Sequence, residues 1–531
     1  MSVSAASNVV LTVGPNGCDY LTINEALVYA STLPNPYSVF PSPGNVPPDP
    51  PPDDNAPVQV QPPQTPCITL ELQPGYVMQE QVFIYENDLS HIEITAAASW
   101  DTTSDPVPIY ADTLNWSPNV SNWRSNTAFA FCAMRDAGMP TLGALFEMQI
   151  SPDGQAKGLT LQSQEVAGRC GMIVQEASHA VIERGFGIKN APYRGLYIVN
   201  GVVYARQTVW DGAGTNPYNP SKGAGIRASN GSLLDCRQSS AKGCGIGLYA
   251  YSSRVSAQYC DFTDAVYREY QPTSASAGDS QETKVSAKVE GFGVLAGNSV
   301  TLSIQGCDCS GAGIAGVIAD GAARITADGY YVNGSTEYLK CENVGAANAA
   351  SSSAGALMMS NGAFIFAPNA KLHGSATDAI HASAGAHVVA PGADCWNAAN
   401  RSIYANAATV EAGGAACTGA GADIAVEAYA GARVSIVSGK LSSAGSLVLK
   451  AATGSWISAT GATNASGQLL TTDDMSPAPN SPCADGLILS DAGSPDGGVF
   501  RLQTADISSA SKLGKEFWFA RFIDWIITGR A

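Results

Sequence analysis

Apolar residues recur along the back two-thirds of the chain at a beat of about twenty-three positions, the range in which stacked repeats replace a single compact core. Leu357, Ile380, Ile403, Ile424 and Leu447 follow at intervals of 23, 23, 21 and 23, each in a short apolar run behind small residues. Earlier, Ile226 to Leu248 is 22 and Val294 to Val317 is 23, while Leu248 to Val294, at 46, reads as two beats with one apolar position missing. Intervals of 30 (Leu196 to Ile226) and 40 (Val317 to Leu357) read as loop insertions. Within a repeat the pattern is strand-like: residues 247–260 alternate and turn without a helical stripe. Short strands broken by Gly, Ser and Asn, with no helices between them, predict an all-β chain, a parallel β-helix. Met172 to Leu447 then holds ~12 coils, a column of ~58 Å at ~4.8 Å per coil.

The flanks differ. Val9–Val13 predicts a strand. Thr22-x-x-Glu25 is a capping box, followed by Ile23, Ala26, Leu27 and Ala30 at helical spacing, so residues 1–33 are read as a strand and a helix that caps the first coil. Residues 34–66 hold 13 of the 30 prolines and read as an insert loop outside any sheet. Residues 67–165 are read as the first coils with an irregular excursion over 100–165 that carries Trp100, Trp116 and Trp123. Residues 166–465 carry the repeats. Residues 466–531 are read as a linker and an aromatic segment, Phe517–Ile527, for oligomerisation or attachment.

Composition narrows the function classes. The net charge of −17 and the lack of a basic run argue against nucleic acid and an anionic membrane surface. No apolar run reaches the ~18 residues of a membrane span, so no membrane insertion is expected. Charged residues are only 14%, as suits a chain whose surface is partly covered by sister copies. The 13 cysteines include Cys236 and Cys260, and Cys395 and Cys417, each pair one beat apart; they read as stacked buried thiols. Neither the cysteines nor the scattered histidines 179, 373, 381 and 387 suggest a metal or another cofactor. The first residues lack the basic and apolar regions of a signal peptide, which suggests assembly in a cytoplasm.

Residues 11–27 (Leu-Thr-Val-Gly-Pro-Asn-Gly through Thr-Ile-Asn-Glu-Ala-Leu), Leu70-Glu-Leu-Gln-Pro-Gly-Tyr76 and Leu89–Thr95 resemble the opening of pectin-lyase-like proteins, where a strand and glycine turn lead into a helix that caps a right-handed β-helix. That family includes pectin methylesterases, polysaccharide lyases, glycosidases, and phage tailspikes and fibres. The esterase motifs are not matched: Arg206–Asp211 has its aspartate in the wrong place, and no second motif exists. The resemblance therefore implies a virion projection, a tailspike or tail fibre, that binds host cell-surface polysaccharide as a homotrimer and joins other virion proteins. A depolymerase or deacetylase on the same scaffold, and a purely structural head fibre or collar, are the alternatives.

A depolymerase needs two carboxylates on one groove. Asp211, Asp235 and Asp261, spaced 24 and 26, are the candidates, although their phases relative to the preceding apolar positions disagree. Glu183, Asp264 and Glu269 are further ones. Trp210, Arg237, Tyr249, Tyr251, Tyr259 and Tyr267 crowd the same repeats and form the expected glycan platform.

Overall fold

The computed structural model describes residues 9–33, 67–114, 128–219, 222–270, 287–345, 355–420, 424–443, 448–470, 487–490 and 501–504. The proline-rich insert, Trp116, Trp123 and the segment 517–527 lie outside them. The described chain is all-β, dominated by two 13-stranded sheets. Every pairing in the first sheet is parallel, from Val82–Tyr85 through Ile246–Tyr251 to Leu449–Ala451. The second, from His179–Val181 to Arg501–Thr504, is parallel except for its last pair. A third column is made of single bridges: Val209, Ser240, Asp261, Asp308, Lys340, Lys371 and Asp394 pair in succession. Each circuit visits the three in the same order, as in Ile246–Tyr251, Arg254–Ser256 and Asp261.

The beat is the interval between paired residues. Met172, Leu196, Ile226, Leu248, Val294, Val317, Leu357, Ile380 and Ile403 stand in register on the first sheet, all fully buried. Ladders of identical position bury apolar side chains against one another continuously, which is where the stability of stacked repeats arises.

The register corrects four expectations. Ile403 pairs with Val426, and Val426 with Leu449, so the step stays at 23 where Ile403 to Ile424 is 21. Ile424 is only half-buried, and Leu447 lies outside the described residues. Leu248 pairs directly with Val294, so the interval of 46 is one enlarged circuit; the hairpin of Tyr267–Tyr270 with Ala287–Glu290 supplies the extra length. A second hairpin, Tyr330–Val332 with Ser335–Glu337, lies in the interval of 40. Ten pairings therefore lead from Met172 to Leu449 rather than twelve, a stack of ~48 Å. Finally, the described part of 100–165 contributes four strands to the sheets, Val107–Tyr110, Ala128–Met134, Thr141–Gly143 and Leu145–Gln149. Trp100 is buried, and its Nε1 donates to the Asp105 carbonyl at 2.9 Å.

The helix Ile23–Ala30 forms where the capping box places it and packs against Val9–Val13 and Ile68–Leu72. Thr22 accepts from the Glu25 amide at 3.1 Å, and Glu25 accepts from the Leu21 amide at 3.2 Å. Ile23, Ala26, Leu27 and Ala30 are the buried face. No motif points to Glu80, whose carboxylate accepts from the Ile23 and Asn24 amides at 2.7 and 3.1 Å and from the Tyr76 hydroxyl at 2.9 Å. An anion at a helix N-terminus satisfies open N–H groups and complements the helix dipole. Glu80→Ala is expected to lower stability by about 1–3 kcal/mol, because three buried or half-buried donors lose their acceptor. A denaturant midpoint unchanged from wild type would refute this.

Cys395 and Cys417 stand in register as expected, whereas Cys236 falls on the rung of Ala257 and Cys260 on that of Cys307. All twelve described cysteines are free and ten are buried. Burial pushes the Cys170 thiol up to about 12, and those of Cys132 and Cys244 higher still. They act as small apolar fillers. No helix among the described residues is long and apolar enough to cross a membrane.

Candidate functional site

In a strand, alternate residues face opposite sides of the sheet, so each three-residue strand of the second sheet sends one residue inward and two outward. Val203, Leu234, Val255 and Leu302 point in and are buried. Their neighbours line a depression of about 440 Å3 on the outer face, among them Tyr204, Asp235, Arg237, Arg254, Gln258 and Ser303.

Asp235 is its electrostatic centre. Arg237 grips it with two bonds, Nε to Oδ1 at 2.9 Å and Nη2 to Oδ2 at 2.8 Å, and Arg206 Nε adds a third at 2.7 Å. Burial pushes the Asp235 carboxyl up, but the hydrogen bonds and charges of Arg237 and Arg206 outweigh it and hold it below the usual carboxylate range. Asp235 is thus ionised and suited to orienting guanidinium groups, not to donating a proton. Beside it Gln258 Nε2 donates to Ser303 Oγ at 3.1 Å and Gln305 Oε1 at 2.6 Å, and Gln305 in turn bonds Asp328. The Tyr259 and Tyr330 rings stack with centroids 5.7 Å apart, and Tyr330 adjoins Arg237. The Tyr204 hydroxyl is buried and has no hydrogen-bond partner among the described residues; burial and then the Asp235 charge push its pKa up. Amides and guanidinium groups in an open depression, with stacked phenol rings beside it, are the chemistry of sugar recognition: planar faces for ring contact, fixed donors and acceptors for hydroxyls.

Of the residues singled out in the sequence, Asp235 and Arg237 line the depression, and Tyr259 directly follows the lining residue Gln258. The others lie elsewhere. Trp210 is fully buried and its Nε1 donates to Thr208 Oγ1 at 2.8 Å, so it fills the interior and offers no platform. Tyr249 lies on the outer face of the first sheet under the Arg227 guanidinium, 4.5 Å from its centroid. Tyr251 bonds Asn298, and Tyr267 sits on the hairpin against the cluster of Phe292 and Leu295. The carboxylate column does not form either. Asp261 is in the single-bridge column, where its Oδ1 accepts from the Thr263 amide and hydroxyl at 3.1 and 2.6 Å. Asp211 accepts from the Lys242 amide at 2.9 Å and from Ser240. Both secure turns, the usual work of aspartate at such places. Sequence reasoning missed Tyr204, Arg206, Gln258, Gln305 and Tyr330; Tyr204 and Arg206 sit one circuit before Asp235, and Gln258 and Gln305 follow Arg254 and Thr301 on their own circuits.

A second carboxylate arrangement lies near the N-terminal end of the stack. Thr95 pairs with Gly143, and Leu142 bridges Ile182, which sets Glu93 close to Glu183. Burial, and after it the Glu183 charge, pushes the Glu93 carboxyl up. A Cβ on Gly143 would come within 2.8 Å of Glu93 Oε1, so the glycine leaves the room the carboxylate occupies. Among the described residues, no cluster of three or more His, Cys, Asp or Glu is placed to hold a metal ion.

Neither a protein-family model nor a curated protein matches the chain.

Proposed function

We propose that the two sheets and the bridge column wind as one right-handed parallel β-helix of the pectin-lyase-like kind, capped by the helix Ile23–Ala30. On this reading the protein is a phage virion projection, a tailspike or tail fibre. It engages host cell-surface polysaccharide as a homotrimer and is held by other virion proteins. The observation that carries the glycan-binding reading is the depression around Asp235, lined by Arg237, Gln258 and Tyr204, whose buried hydroxyl has no hydrogen-bond partner among the described residues; the Tyr259–Tyr330 stack lies beside Arg237. Three such shallow sites on one particle would act together, because tethering raises effective concentration.

The test is adsorption of the purified protein to host cells and to their extracted envelope polysaccharide. The double variant Arg237→Ala/Tyr259→Ala is expected to weaken binding by at least about tenfold, from a lost charge-assisted contact and a lost stacking face. Undiminished adsorption by that variant removes the depression from the interaction. Failure of the wild type to bind at all favours a structural head fibre or collar. Sedimentation at equilibrium reads the trimer directly.

The raised carboxyl of Glu93 beside Glu183 favours a second reading, a depolymerase, since two carboxyls whose environments differ can divide acid and base roles. Host polysaccharide left unshortened after incubation with the protein would end that reading.

A further inference from the structure

The outer face of the second sheet carries a pattern that extends well beyond the depression. Following one outward position from strand to strand, the register runs Arg254, Thr301, Arg324, Phe364, His387, Thr409, Arg433, Trp456. Every second rung holds Arg or His, and the rungs between hold Thr or an aromatic ring. In the parallel outward column Ser256, Ser303, Thr326, Phe366, Val389, Glu411, Ser435 and Ser458 follow one another, seven of the eight uncharged.

We propose that this face is a binding track for a linear anionic polysaccharide whose acidic group recurs on alternate sugars, lying along the stacking direction. The inference rests on the glycan-binding reading above and names its ligand class. Four observations carry it. First, the protein's net charge is −17, yet this column has no carboxylate; Arg254, Arg324 and Arg433 are exposed, and none makes an ion pair among the described residues. His387 is the partial exception, with Nε2 3.0 Å from Glu411 Oε1. Second, Arg254 and Arg324 are two strands apart, ~9.6 Å at ~4.8 Å per strand, and Arg433 stands four strands beyond Arg324, while a sugar in an extended chain spans about one rung. The guanidinium spacings of the track are therefore multiples of a disaccharide. Third, the intervening rungs supply what a neutral sugar needs: Thr hydroxyls at 301 and 409, and half-buried rings at Phe364 and Trp456. The Phe364 ring is held edge-on by His387, centroids 5.4 Å apart. Fourth, the depression with its unsatisfied Tyr204 hydroxyl opens onto the Arg254 end, so track and depression are continuous. Guanidinium groups match carboxylates in geometry and stay charged at any working pH.

The probe is hyaluronan oligosaccharide, which carries a carboxylate on every second sugar, with dextran oligosaccharide of equal length as the neutral arm and oligo(dT) as the nucleic-acid arm. Titration calorimetry at two salt concentrations is run on the full chain and on Arg254→Gln/Arg324→Gln/Arg433→Gln. All three positions are exposed, and an unchanged melting temperature confirms that the variant is folded. The expected result is salt-sensitive hyaluronan binding, weak or absent dextran binding, and affinity at least about tenfold lower in the variant. No hyaluronan binding, equal binding by the variant, or oligo(dT) bound as tightly as hyaluronan overturns the proposal. If extracted host polysaccharide still binds both proteins equally, the anionic track falls while the glycan-binding reading stands; if it binds neither, both fall.

Discussion

Replacing Asp378 by asparagine is expected to lower the stability of the protein by about 3–5 kcal/mol, because it removes one partner from a buried ionic network. The Asp378 side chain is only 2% exposed. Its Oδ1 accepts from Arg401 Nε at 3.0 Å and Asn400 Nδ2 at 2.9 Å; its Oδ2 accepts from Arg401 Nη2 at 3.1 Å and lies 3.0 Å from His381 Nδ1. Arg401 reaches on to Glu427 at 2.6 Å, and Lys450 closes the chain at 2.7 Å. His381, Tyr404, Glu427 and Lys450 are successive rungs of one outward column of the first sheet, so the network clamps neighbouring circuits together. Burial pushes the Asp378 carboxyl up, yet the hydrogen bonds from His381 and Arg401 and the Arg401 charge hold it below its ordinary value. For Glu427 burial is likewise outweighed, by Lys450 and Arg401. Both carboxyls are therefore depressed on folding. Their contribution is fully present above the unfolded values of ~4 and is lost as pH falls below that through the folded values. Guanidinium denaturation at pH 7 and at pH 3 reads both effects. The loss caused by Asp378→Asn should shrink at the lower pH, and a loss independent of pH would show that the carboxylate charge is not what matters.

Much of the fold was legible because one physical requirement repeats. Each circuit must place an apolar residue behind the previous one, and Leu357, Ile380 and Ile403 announce this at constant spacing. The frame slipped at Ile424 because Ile424 and Val426 are both apolar and two apart, and only pairing distinguishes the inward one. The interval of 46 misled for a related reason: an inserted hairpin with its own alternating residues imitates a missing circuit in length. Function was less legible. Crowding in sequence predicts a glycan platform, but residues close in sequence can lie on different faces of a stacked sheet. Tyr249 faces out from the first sheet, Arg237 adjoins the second, and Trp210 points into the interior. What could have found the second-sheet face is the same beat followed at an outward phase, where Arg254, Thr301, Arg324 and Phe364 appear at intervals of 47, 23 and 40. Those intervals are irregular because the same insertions interrupt them.

The interior column also explains why small residues precede the apolar ones, and this leads to the second large effect expected. Gly171, Gly195, Gly225, Gly247, Gly293 and Gly316 stand one before Met172, Leu196, Ile226, Leu248, Val294 and Val317. At these positions a Cβ would meet the backbone or side chains of the stack at under 3.0 Å; at Gly247 it would lie 2.6 Å from the Gly293 carbonyl oxygen and 2.8 Å from Phe262 Cβ. The room left by the glycines is filled from the third column by large side chains: Trp210 against Gly195, Phe262 against Gly247. Phe262 is fully buried, so Phe262→Ala is expected to cost about 3–5 kcal/mol, the lost burial plus the cavity left behind. Gly247→Ala is expected to cost about 1–3 kcal/mol by overpacking. A cavity and an added methyl often compensate, but here they should not. The alanine at position 262 keeps the Cβ that crowds position 247, and the Gly293 carbonyl does not move away. The double variant should therefore be at least as unstable as Phe262→Ala alone in guanidinium denaturation. A double variant more stable than Phe262→Ala would show that the added methyl occupies the cavity, and that the fit between glycine and ring is not what fixes the spacing of these circuits.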